Sequence, residues 1–81
     1  MADFEDLKKA LAPEIQELKD ALAAKKRADA AKPPVPAEVT RTTQTYLGLQ
    51  FKLDQTLRKR GLKGGELEVA LRAIMEIVQN A

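Results

Sequence analysis

The fold turns on the stretch Val39-Thr40-Arg41-Thr42-Thr43-Gln44-Thr45-Tyr46-Leu47-Gly48-Leu49-Gln50-Phe51-Lys52-Leu53-Asp54-Gln55-Thr56-Leu57. At helical period, Val39, Tyr46, Leu49, Leu53 and Leu57 share one face. At period two, Thr43, Thr45, Leu47, Leu49, Phe51 and Leu53 share one face instead. Residue type divides the stretch. Thr40, Thr42, Thr43, Thr45 and Tyr46 favour a strand, whereas Lys52 to Arg60 suits a helix. Gly48 is the natural place for the change. The expectation is a strand near residues 41–47, then a helix from about residue 49 to 60 that Gly61 terminates.

Downstream, Gly64-Gly65 breaks the chain, and Glu66 opens a last helix with its acid at the positive end of the helix dipole. Leu67, Ala70, Leu71, Ile74, Ile77 and Val78 give that helix a broad apolar face. Upstream, Lys32-Pro33-Pro34-Val35-Pro36 cannot be helical throughout, because each proline removes a donor and restricts its predecessor. Its P-x-x-P spacing reads as a stiff spacer. Residues 32–37 thus divide an N-terminal arm, residues 1–31, from a domain spanning residues 38–81.

The arm is a helix by pattern. Asp3 caps it, and Phe4, Leu7, Leu11, Ile15, Leu18 and Leu22 follow at intervals of three and four. They fall within an arc of about 80°, a thin seam suited to pairing with another helix. An ordinary amphipathic helix folded on its own domain accounts for the same spacing. Pro13 lies on the solvent side, where it either kinks the helix or starts a second one. Ala21 to Lys32 is alanine and charge with no apolar face, and continues the helix into solvent.

The chain has 81 residues, no cysteine, no histidine and three aromatics, Phe4, Tyr46 and Phe51. Disulfide frameworks, thiolate metal sites and His-based chemistry are excluded. A core this small, with no staple available, often needs a partner chain. No stretch approaches the ~20 apolar residues of a membrane span and no signal peptide opens the chain, so a soluble cytoplasmic protein is expected. The net charge of +2 is unevenly spread. Arg41, Lys52, Arg58, Lys59, Arg60 and Lys63 face only Glu38 and Asp54 in residues 33–65, and such a local surplus suits an anionic surface.

A single strand has no partner within its own chain, and pairing with its twin resolves this. The sequence of elements then resembles the ribbon-helix-helix proteins of the MetJ/Arc superfamily over residues 41–78. Arg41-Thr42-Thr43-Gln44-Thr45-Tyr46-Leu47 is similar to that family's strand. Leu49, Leu53 and Leu57 with Arg58-Lys59-Arg60-Gly61-Leu62 resemble its first helix and turn, and Glu66 to Met75 its second helix. The expected class is mainly α with one short β-strand, dimerising through an intermolecular two-stranded ribbon.

The resemblance implies a homodimeric, sequence-specific DNA-binding protein: a small repressor, plasmid partition factor or antitoxin-like regulator. Its ribbon would enter the major groove with Arg41, Thr42, Gln44 and Tyr46 toward the bases. The turn residues Arg58, Lys59, Arg60, Lys63, Gly64 and Gly65 would meet phosphate at a helix N-terminus, although Glu66 competes for the same amides. The seam from Phe4 to Leu22 would bind a second protein or join dimers into tetramers. The rival expectation is an all-helical adaptor without nucleic-acid activity, in which residues 38–60 form one long helix and the chain assembles as a bundle or coiled coil. Gly61-Leu62-Lys63-Gly64-Gly65 lacks the end of a phosphate-binding loop, and Glu14, Glu17 and Asp20 follow the spacing of a solvated face. No catalytic residues, cofactor or metal are expected.

Overall fold

The computed structural model describes residues 4–81. Asp3, the expected cap, lies outside the described residues. Four helices follow one another: α1 (Phe4–Ala10), α2 (Ala12–Ala30), α3 (Pro36–Lys59) and α4 (Gly65–Gln79). Among the described residues 83% are helical and none is in a strand. The expected strand at residues 41–47, the mainly-α class with one strand, the intermolecular ribbon and the ribbon-helix-helix resemblance are all corrected by this result. The architecture is all-helical.

α1 and α2 are almost one helix. The Leu11 N–H donates to the Leu7 carbonyl and the Ile15 N–H to the Leu11 carbonyl, both at 2.9 Å, so the ladder bridges the break. Pro13 has no N–H for the turn before it, which accounts for the interruption at Leu11. Leu7, Leu11, Ile15 and Leu18 are buried, and Leu22 is partly so. From Leu7 to Leu18 the seam is therefore covered within its own chain.

α2 ends where Ala31 turns extended, and Pro36 opens α3 at a position where its missing N–H costs nothing. α3 then runs through the threonines and through Gly48 without a break. The Thr42 hydroxyl donates to the carbonyls of Glu38 at 2.8 Å and Val39 at 3.1 Å, and Thr45 donates to Arg41 at 2.9 Å. These back-bonds satisfy the hydroxyls inside a helix. The apolar stripe does the rest: Tyr46, Leu53 and Leu57 are buried along one face of α3, with Thr42 in line above them.

Gly61, at φ 94°, closes α3. The Leu62 N–H reaches the Leu57 carbonyl at 3.2 Å and the Gly61 N–H that of Arg58 at 3.0 Å, the two bonds of a Schellman cap. Leu62 packs on the core beyond it. Gly64, at φ 61°, then starts α4, whose Leu67, Ala70, Ile74 and Val78 are buried.

The chain folds up, down and up. Lys52 of α3 lies 3.9 Å from Glu17 of α2, and Gln50 of α3 reaches the Met75 sulfur of α4 at 3.9 Å. Leu18, Leu53, Leu57 and Ile74, drawn from α2, α3 and α4, have no exposed surface. Residues of the arm and of the C-terminal part thus share one core. The particle measures 49 × 20 × 19 Å, with a radius of gyration of 14.1 Å. A rounded chain of this length would have a radius of about 12 Å. The excess comes from α2 and α3, which are longer than α4.

Gly48 tests this helix directly. It is exposed, and an added Cβ meets nothing within 4 Å. Gly48→Ala should raise unfolding stability by about 0.5–1 kcal/mol in urea titration, because alanine is the better helix former. A loss of stability would show that the backbone is not helical there.

Candidate functional site

The four residues expected to read bases occupy different faces of α3. Thr42 and Tyr46 are buried, at 4% and 7% exposure. They point into the bundle because they fall on the same stripe as Leu53 and Leu57. Gln44 is exposed. Arg41 is exposed and donates to the Glu38 carboxylate at 2.7 Å. That hydrogen bond, with the guanidinium charge behind it, holds Glu38 below the usual carboxylate pKa. No single surface carries the four together. The Tyr46 hydroxyl is buried without a hydrogen-bond partner among the described residues.

The basic residues of the α3–α4 turn do come together. Arg58 pairs with Asp54 at 3.0 Å, while Lys59, Arg60 and Lys63 are exposed and make no ion pair among the described residues. Gly64 and Gly65 are exposed beside them at the start of α4, which has no side-chain cap. Glu66 and Glu68 stand in its first turn. The site is a cationic rim around free helix-terminal amides, with two carboxylates opposing it.

Of the expected partner seam, Phe4 is partly exposed, with the Lys8 ammonium 5.8 Å from its ring centre. Phe4 and Leu7 meet Leu62, Val69 and Ala70 around a shallow apolar cavity of about 360 Å³. Leu11, Ile15 and Leu18 have no exposed face to offer a partner. Four other large apolar residues do, Val35 and Val69 among them at 51% and 68% exposure. Leu47 and Phe51, one turn apart on α3, are 56% and 67% exposed. In the strand reading both belonged to an alternating apolar face. At helical period they stand well off the stripe of Leu49, Leu53 and Leu57, and that displacement is the signal that marks them as surface residues.

Among the described residues no group of three acidic side chains is placed to hold a metal ion. No described helix is long and apolar enough to cross a membrane. Comparison with known protein families finds no match, and neither curated proteins nor solved structures supply one.

Tyr46 separates a buried core role from an exposed reading role. Tyr46→Phe removes an unpartnered buried hydroxyl. It should leave stability unchanged or raise it by up to about 1 kcal/mol in thermal or urea unfolding. A clear loss would mean that the hydroxyl has a partner.

Proposed function

We propose that this chain is a helical adaptor, an interaction module whose contact element is the projecting α2–α3 hairpin. The observation that carries the reading is the exposure of Leu47 and Phe51 at adjacent turns of α3. Scattered single apolar residues are ordinary on a protein surface, whereas neighbours on one helix flank form a patch. Such a flank presents anchors at intervals of three and four to a complementary groove or helix. The expected cytoplasmic setting stays part of this reading. The continuity of α3 through Gly48 supports it over a DNA-binding dimer built on a ribbon.

A second reading is favoured by one feature, the Lys59, Arg60 and Lys63 rim beside the uncapped start of α4. Here the chain touches nucleic-acid phosphate through that turn, without reading bases.

A photoreactive residue in place of Leu47 tests the first reading. In cells it should give a defined cross-linked product that the same group at exposed Ala12 does not, and that is lost when Leu22→Glu is added. No product at Leu47 would remove the adaptor reading. For the second, duplex DNA should bind with a steep dependence on salt. Replacing Lys59, Arg60 and Lys63 by alanine should flatten the slope by about 0.9 for each phosphate that the variant no longer neutralises. An unchanged slope would remove phosphate binding at the turn.

A further inference from the structure

α4 covers only part of the α2–α3 hairpin. Its C-terminal residues Asn80 and Ala81 share a shallow cavity with Lys19, so α4 ends beside the middle of α2. Beyond that level α2 continues to Ala30, and α3 starts at Pro36. This leaves about 16 Å of two-helix hairpin with no third helix against it.

The flank that α4 seals lower down can be followed up both helices. On α3 it begins at Gln50, which meets Met75, and steps back through Leu47, Thr43 and Val39. On α2 it begins at buried Ile15 and passes Lys19 to reach Leu22. Residues three and four apart lie one above another, so each row is a continuous ridge. Leu22, Val39 and Thr43 are half-buried and Leu47 is more than half exposed. The flank that α4 covers at one end thus runs on uncovered along α3 through Leu47 to Val39, whereas on α2 its apolar part ends at Leu22 and Lys26 follows in the row.

We infer that a second copy of this chain covers that surface. The two hairpins lie tip over tip, antiparallel about a two-fold axis, and close into a four-helix bundle. The inference rests on the adaptor reading and names its partner. Geometry favours a twin. In the antiparallel arrangement each bare stretch lies on one of equal length, and each α4 falls beyond the other tip. A parallel pair would drive the two α4 helices into the same volume. The contact is isologous and closes on itself, as two-fold interfaces do.

Charge points the same way. The tip carries Arg27 and Lys32, which make no ion pair among the described residues. α4 has no basic residue in its last turn to balance its terminal carbonyls, and Glu76 is exposed near that end. Tip-over-tip packing brings the basic tip of each copy against the negative end of the other's α4. The contact is thereby electrostatically complementary twice over, once at each end of the bundle.

Analytical ultracentrifugation of the full chain should give a mass of twice 8.9 kDa. Leu22→Glu combined with Leu47→Glu should give a monomer of unchanged helical circular dichroism. The chain has no cysteine, so single spin labels can be placed at will. Labels on Lys26→Cys should lie on the order of 20 Å apart or less between copies. Those on Lys63→Cys should lie on the order of 60 Å apart. A monomer at all concentrations, a dimer that survives the double substitution, or Lys63 labels closer than Lys26 labels would each overturn the inference. A Leu47 cross-link to a different protein, with the purified chain monomeric, overturns the twin and leaves the adaptor reading standing. No cross-link and no dimer removes both.

Discussion

Four aliphatic side chains that meet where α2, α3 and α4 converge hold this structure together. Leu18, Leu53, Leu57 and Ile74 have no exposed surface, and no aromatic ring is among them. Replacing any one by alanine removes buried methyl groups from a close-packed site, a change that typically costs about 2–5 kcal/mol. A small protein has only about 5–15 kcal/mol of net stability to lose. The remaining features follow from this convergence. It sets α3 antiparallel to α2, turns the arm inward, and leaves α4 only enough length to cover part of the hairpin.

The same convergence explains why the threonine run is helical. Thr40, Thr42, Thr43 and Thr45 favour a strand by roughly tenths of a kcal/mol each, and helix propensity differs on a similar scale. Burying Tyr46, Leu53 and Leu57 on one face is worth about 1.5–3 kcal/mol per side chain. The stripe prevails, and the back-bonds of Thr42 and Thr45 remove most of the conflict. A strand at residues 41–47 would have turned Leu47 toward one face and Tyr46 toward the other. It would also have separated Thr42 and Tyr46 from the row that Leu53 and Leu57 continue.

Much of the remaining fold was legible because local rules and burial agreed there. The seam from Leu7 to Leu18, the stop at Gly61 and the apolar face of α4 each combine a period with a capping or breaking residue. The proline segment interrupts the helices between Ala30 and Pro36, as a run that cannot be helical throughout should. The expected division into arm and domain rested on composition alone, and periodicity within one helix does not reveal which other stripe it meets, here the shared core. Leu7 and Ile15 are ordinary core residues only once α3 and α4 are in place. The candidate site divides similarly. The basic turn is contiguous in sequence, so Lys59, Arg60 and Lys63 come together in any fold that ends a helix at Gly61. The proposed base readers depended on a two-residue period, and the helix disperses them.

Unequal helix lengths turn this packing problem into a functional one. α2 and α3 have 19 and 24 residues, and α4 has 15. A bundle with matched helices would bury Leu22, Val39 and Leu47 within the chain. Here alanines at positions 21, 24 and 28 line the upper part of α2 and leave little apolar bulk to hold the hairpin tip. That tip is stabilised chiefly by helix propensity and by local pairs such as Lys25–Asp29 at 2.8 Å and Arg41–Glu38 at 2.7 Å. Exposed pairs of this kind are screened by water and contribute little. The tip is therefore the part of the molecule with most to gain from a covering surface, since the helices are already formed and only their flank remains to be buried. Association there costs little backbone ordering, which is the circumstance in which a short apolar ridge can support a specific contact.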